Sequence, residues 1–207
     1  MSTSVPLTPG PGAPNVPEPG TPEPAGLPPY VAPQWRFCPQ CGGPLAAHDH
    51  GAGERGTCHA EGCGFVHWNN PVPVVAAIVE LDGRVLVARN AAWAEGAWGL
   101  ITGFLEPLED PAEGVLREVA EETGLTGRVE KLLGVAPFRR KNELLISYHV
   151  VATGEVRLSP ELADYRLVEP ARLRPWPSGT GHALAQWMRE RGHEPVYLDH
   201  FGQDPGY

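Results

Sequence analysis

Apolar positions are sparse at the start of the chain and dense from Val72 onward, where VPVVAAIVEL and GRVLVARN are joined by Asp82-Gly83. Asp-Gly between two apolar runs predicts a hairpin closed by a type I′ turn, whose central residues both take positive φ. Further on, Val115, Leu116 and Val119 recur at helical spacing and predict a helix over Pro111–Thr123. Asp110 suits the N-cap, Pro111 the first helical position, Glu113 the far side of a capping box and Gly124 the stop. Strands are expected near Gly127–Phe138, Leu144–Thr153 and Tyr165–Val168, and an amphipathic helix from about Ser178 to just before Gly192. The chain has no internal repeat.

Outside those segments the texture differs. Residues 1–33 alternate Pro, Gly, Thr and Glu and hold eleven of the 24 prolines. Such a stretch has almost nothing to bury and reads as a disordered tail, partly polyproline II in character. Residues 199–207 read as a flexible C-terminal tail. Residues 34–70 hold all four cysteines among Gly-rich turns, and a core so poor in apolar residues needs a staple. That leaves 71–198 for one ordinary catalytic domain.

Composition narrows the partners. With 207 residues, 42% hydrophobic, the chain can build one real core plus an appendage. A formal charge of −9 gives no bulk attraction for nucleic acid or anionic lipid, so nucleic acid is a disfavoured partner. No apolar stretch is long enough to cross a bilayer, and the N-terminus lacks a signal-peptide pattern. A cytoplasmic location follows as the expectation. In a reducing compartment four cysteines point to metal rather than disulfides.

Cys38-x2-Cys41, sixteen residues, then Cys58-x4-Cys63 forms two thiolate pairs. Each pair can curl as a knuckle, and two knuckles complete a tetrahedral Zn2+ site. Gly42, Gly43 and Gly64 supply backbone freedom there. Four thiolates close the site, so a structural zinc is expected, with His48, His50, His59 and His67 left as ordinary surface or core. Arg36 and Arg55 are outnumbered by Asp49, Glu54 and Glu61. A structural or dimerising ribbon, with a homodimer as the corresponding assembly, therefore fits better than a nucleic-acid reader.

Glu118, Glu121 and Glu122 are spaced i, i+3, i+4 on the predicted helix and project from one face. Like charges at that spacing cost the helix a few tenths of a kcal/mol per pair, so three of them suggest hard-cation ligands. Mg2+ prefers oxygen and commonly bridges protein carboxylates to substrate phosphates. A solvated acidic face is the alternative for the glutamates alone.

The surrounding residues extend the pattern. Gly103, five residues, Glu109, seven residues, then Arg117-Glu118-Val119-Ala120-Glu121-Glu122-Thr123-Gly124-Leu125 resembles the signature of the Nudix hydrolase family at every defined position. WGLITGF before it, and FCPQCG with CGFVHWNNPVPVVAAIV, resemble the zinc-ribbon branch of that family, over about Phe37 to Arg191. The resemblance implies an α/β fold: an α/β/α sandwich around a mixed β-sheet, preceded by a small zinc ribbon. It implies Mg2+ or Mn2+ held by Glu118, Glu121, Glu122 and the Gly103 carbonyl, with Arg117 and Glu109 as the supporting pair. Arg117 also has Glu113 one turn before it, a favourable pairing.

The implied reaction is attack of water on a pyrophosphate, with the ions neutralising phosphate charge and lowering the pKa of the water. Glu121, Glu122 or Glu161 is then the expected general base. Glu161 lies just before a predicted strand, though after Ser159-Pro160 it reads equally as a helix start; Glu143 is a weaker choice. The substrate expected is a small nucleoside-diphosphate derivative such as ADP-ribose, FAD or NADH. A non-catalytic nucleotide sensor and an RNA-cap processing enzyme are the rival readings. NADH pyrophosphatases carry an SQPWPFP-type segment after the box, where this chain reads GVAPFRRKNELLIS. Arg89, Phe138 and Arg139, with Arg140 and Lys141, are candidates for substrate contact, and Trp68 and Tyr148 for base stacking.

Overall fold

A computed structural model describes residues 35–51 and 53–206; the Pro-rich tail over 1–33 lies outside them. Three short strands come first: β1 (Leu45–Asp49), β2 (Glu54–Cys58) and β3 (Val66–His67), an antiparallel sheet in that order. Nothing in LAAHD or ERGTC favours a strand by propensity. The cysteine turns at either end hold them in place.

The larger sheet contains β4 (Val72–Leu81), β5 (Arg84–Asn90), β6 (Ile101–Phe104), β7 (Thr126–Phe138), β8 (Glu143–Thr153) and β9 (Leu162–Val168). Its order is β7-β8-β4-β5-β9, with β6 also on β4. β4 runs parallel to β8 and every other pair is antiparallel, so the sheet is mixed. One edge of β4 pairs with β8 throughout, while its other edge is divided between β6 at Val74–Ala77 and β5 at Val79–Leu81. Asp82 and Gly83 close the β4–β5 hairpin at φ 50 and 74, the left-handed pair that a type I′ turn requires.

Helices cover both faces, which is why β4 reads as one unbroken apolar run rather than an alternation. Val75, Ala77 and Val79 pack with Val115 and Val119 of α1 (Pro111–Thr123). Ile78 packs instead with Leu184, Trp187 and Met188 of α2 (Gly181–Glu190). This is the expected α/β/α sandwich. On the α2 face, buried His149 and the more exposed Arg191 both bond Glu80, at 2.8 and 3.2 Å, and Arg191 lies 3.9 Å over the Trp187 ring. The residues after α2 pack rather than hang loose: Phe201 meets Trp93 and Trp176 edge-on, at 5.2 and 5.7 Å. Among the described residues no helix is long and apolar enough to cross a membrane.

Candidate active site

Local chemistry sets where α1 begins and ends. Asp110 Oδ1 accepts the Ala112 N–H at 2.8 Å, Pro111 takes the first position, and Gly124 turns out of the helix at φ 70. Among the described residues no bond from Glu113 returns to Asp110, so the capping box is only half built. Glu113 does not hold Arg117 either. Arg117 reaches the other way, into the loop between β6 and α1.

That arginine is the hub. Its Nε and Nη2 donate to the two Glu109 oxygens at 2.7 and 3.0 Å, and Nη2 also reaches the Phe104 carbonyl at 3.1 Å. Its Nη1 donates to Glu118 at 2.8 Å and Glu121 at 3.0 Å. The Arg117 guanidinium, helped by the Glu106 N–H, holds Glu109 well below the usual carboxylate range, at about 2. Glu109 lies so close to the helix that a Cβ on Gly114 would stand 2.8 Å from its Oε2. A glycine inside a helix costs ~1 kcal/mol against alanine; here it makes room for the carboxylate.

Gly103 pairs with Val75 in the sheet and faces α1. A Cβ placed there would lie 1.8 Å from the Glu118 carboxyl carbon, so only glycine lets Glu118 rest against the strand. Gly103→Ala should therefore expel Glu118 and lower stability by ~1–3 kcal/mol, the cost of overpacking. A thermal unfolding scan beside a rate measurement checks this; an alanine variant with native stability and rate contradicts the close packing.

The carboxylates around Glu118 repel one another. Glu122 is only 9% exposed. Burial, and then the charges of Glu118, Glu161 and Glu121, push it up to about 7. Burial likewise raises Glu118, against the opposing pull of Arg117. Glu121 is largely exposed. Glu161 arrives from another part of the chain, exposed and immediately before β9, so its helix-start alternative falls away. Backbone bonds Ser159 N to Glu122 O and Ala91 N to Glu161 O, at 2.9 and 2.8 Å, hold it beside the end of α1. The charges of Glu118, Glu161 and Glu121 thus all act on Glu122, a repulsion that a bound cation would relieve. An all-oxygen donor set beside a strand carbonyl suits Mg2+ or Mn2+.

The four cysteine sulfurs form a second centre, all within 4.8 Å of one another. Cys38–Cys63 and Cys41–Cys58 are 3.6 and 3.5 Å apart. Zn–S bonds of ~2.3 Å in a tetrahedron give sulfur separations of about 3.8 Å, so the set needs little adjustment. Backbone N–H groups of Gln40 and Gly43 donate to Cys38 and Cys41 at 3.4 Å, shaping a knuckle that Gly42 closes at φ 74. Against a backbone bond from Phe65 that favours its thiolate, Cys63 is pushed up to about 12 by Cys41, burial and Cys38. Crowded thiolates are the electrostatic condition that a dication offsets.

A cavity of about 380 Å3 opens on the α2 face, where Thr102, next to Gly103 on β6, contributes to its wall. Phe138 lines it, together with Arg140, Glu143, Trp93, Trp176 and Phe201. Arg139 does not: it is exposed at the β7–β8 turn, where its carbonyl accepts Asn142 N–H. Arg89 sits on β5 opposite Asp164 and outside the cavity lining. Tyr148 is buried in the core beneath α1, and Trp68 lies on the ribbon side, 5.2 Å from the His50 ring. No sequence signal pointed to Trp93, Trp176 or Phe201, which come from three separate segments.

The NUDIX domain family model matches residues 70–189. A protein of Stutzerimonas stutzeri named NAD-capped RNA hydrolase NudC is 31% identical over 129 residues, covering 62% of this chain and 45% of that one. A Vibrio parahaemolyticus protein of the same name is 29% identical over 168 residues, covering 81% of this chain and 56% of its own. The chain thus spans about half the length of the curated relatives it matches. Among solved structures, a NUDIX hydrolase from Nitrosomonas europaea superposes with a TM-score of 0.66 at 25% identity, covering 79% of this chain and 97% of that one.

Proposed function

The chain belongs to the NUDIX family, and on that premise we propose that it is a divalent-metal-dependent pyrophosphohydrolase acting on a nucleoside-diphosphate derivative of the dinucleotide type. The observation that carries this reading is that Arg117 ties Glu109 to Glu118 and Glu121, with Glu118 packed against Gly103 and the charges of Glu118, Glu161 and Glu121 all acting on Glu122. A binding-only module has no need of carboxylates that repel one another.

Glu118, Glu121 and Glu122, with the Gly103 carbonyl, would hold Mg2+ or Mn2+, which neutralises phosphate charge and lowers the pKa of the attacking water. Arg117 and Glu109 fix the helix against the β6–α1 loop, so that ligands from two elements keep one geometry. Glu161 and Glu122 are the carboxylates poised to take the proton from that water, after which the pyrophosphate separates into two phosphomonoesters. Cys38, Cys41, Cys58 and Cys63 would hold a structural Zn2+. In this reading the division falls near residue 70, with the ribbon before it and the catalytic domain after. Exposed Trp35, Phe37 and Trp68 on the ribbon side would supply the apolar contact of a homodimer.

The cavity beside Thr102 has the size of a small-molecule site, ~300–1,000 Å3, and suits one ring of the substrate. The test is a screen of the full chain with Mg2+ and Mn2+ on ADP-ribose, FAD, NADH, diadenosine polyphosphates and nucleoside triphosphates, products identified by mass. Cleavage between the two phosphorus atoms of a dinucleotide is expected; no cleavage of any member sinks the reading. Because the β7–β8 tip carries Arg140 and Lys141 in place of an SQPWPFP-type segment, kcat/KM for NADH should stay within about a hundredfold, ~2.7 kcal/mol, of that for ADP-ribose and FAD. A larger preference would mean that another surface supplies nicotinamide recognition.

The relatives' names favour a second reading, in which the leaving group is the 5′ end of a capped RNA. A NAD-capped oligonucleotide added to the screen separates the two. Preference for it over free NADH, lost steeply as salt rises, would support that reading.

A further inference from the structure

The α1 carboxylates account for phosphate chemistry but leave two charged groups unused. Glu143 opens β8, and its side chain is 13% exposed. Among the described residues its carboxylate accepts no hydrogen bond, and its ion-pair partner, Lys141 Nζ, stands 4.0 Å away. Arg140 Nε is buried with no hydrogen-bond partner. Both side chains line the cavity of about 380 Å3 whose aromatic walls are Trp93, Phe138, Trp176 and Phe201.

A buried donor without a hydrogen-bond partner is costly, and the half-buried carboxylate across the cavity keeps acceptor capacity to spare. A fold tolerates that where a ligand completes both bonds. The walls favour a flat ring, because aromatic faces and edges contribute through stacked or edge-to-face contact. An acceptor and a donor on one rim favour a ring edge that carries a donor next to an acceptor.

We propose that Glu143 is a specificity-determining residue of this cavity, accepting a hydrogen bond from the amino group of a planar ring held by the aromatic walls, with Arg140 donating to the acceptor beside it. The 6-amino edge of adenine and the carboxamide of nicotinamide share this chemistry. The proposal rests on the dinucleotide reading above. Burial raises the Glu143 carboxyl above its ordinary pKa, against the lowering charge of Lys141, as expected for a group that gives up water for a ligand.

Three substrates test it: NAD+, its hypoxanthine analogue, which lacks the adenine amino group, and its 3-acetylpyridine analogue, which lacks the carboxamide amino group. The wild-type chain should lose about tenfold or more in kcat/KM, ~1.4 kcal/mol, on one analogue and little on the other, which identifies the ring. In Glu143→Leu that discrimination should shrink to within about threefold, chiefly because NAD+ itself is hydrolysed less well. Glu143→Gln keeps a carbonyl acceptor and nearly the same shape, so it should retain part of the discrimination; it also covers the case in which the leucine variant fails to fold. A general loss of stability lowers all three rates together and does not move their ratio. Equal treatment of the three substrates by the wild type, or an unchanged ratio in both variants, overturns the role of Glu143. Failure of the wild type to cleave any of the three overturns the role of Glu143, and failure on ADP-ribose and FAD as well overturns the dinucleotide reading; both outcomes are visible before any variant is made.

Discussion

Glu122→Gln should lower kcat under saturating Mg2+ by at least about a hundredfold, ~2.7 kcal/mol, while the fold survives. The side chain keeps its volume but loses the negative charge that a cation needs. Glu122 is nearly buried and faces the charges of Glu118, Glu161 and Glu121, so the neutral amide also removes a repulsion. Without added metal the variant should melt at or above the wild-type temperature. Glu121→Gln should lose activity similarly. Its thermal effect should be smaller, because Glu121 is largely exposed. A loss of activity with a gain in stability separates a ligand from a packing residue. Near-wild-type rates in both variants would contradict the metal assignment.

The ribbon carries the second large effect. Metal analysis should find one tightly bound zinc per chain, separate from the exchangeable catalytic cation. Cys38→Ser should release it. Nearly all the order before Asn70 rests on three short strands with few apolar residues, so the region should then become protease-sensitive and exchange its amides rapidly. Four freely titrating thiols in zinc-free, protease-resistant protein would contradict this.

What the sequence disclosed was local. The Asp82-Gly83 turn, the capped helix α1 and the strands beside it follow from residues within a few positions of one another, and the structure keeps them nearly residue for residue. The glutamate spacing and the cysteine pairs were equally legible, since one helix face or one knuckle sets each. Strand β9 begins three residues earlier than expected, at Leu162 rather than Tyr165, because it pairs along β5 as far as Asn90. The ribbon strands were invisible because the cysteine turns, not side-chain periodicity, place them.

Contacts that depend on long-range packing were harder to read. Arg139 and Arg140 are neighbours in sequence, yet one side chain is exposed and the other reaches the cavity. Tyr148 falls on the α1 face of β8 and is spent in the core. Gly114 looks like a flaw in a helix until Glu109 is seen to lie over it.

In the proposed reaction water attacks phosphorus at a site built by α1. ADP-ribose incubated with the full chain and Mg2+ in water enriched in oxygen-18 tests it most directly. The expected products are AMP and ribose 5-phosphate, with the label on the phosphate of one of them and no turnover when a chelator removes the cation. Label on a sugar carbon, or cleavage that continues undiminished in excess chelator, would contradict it.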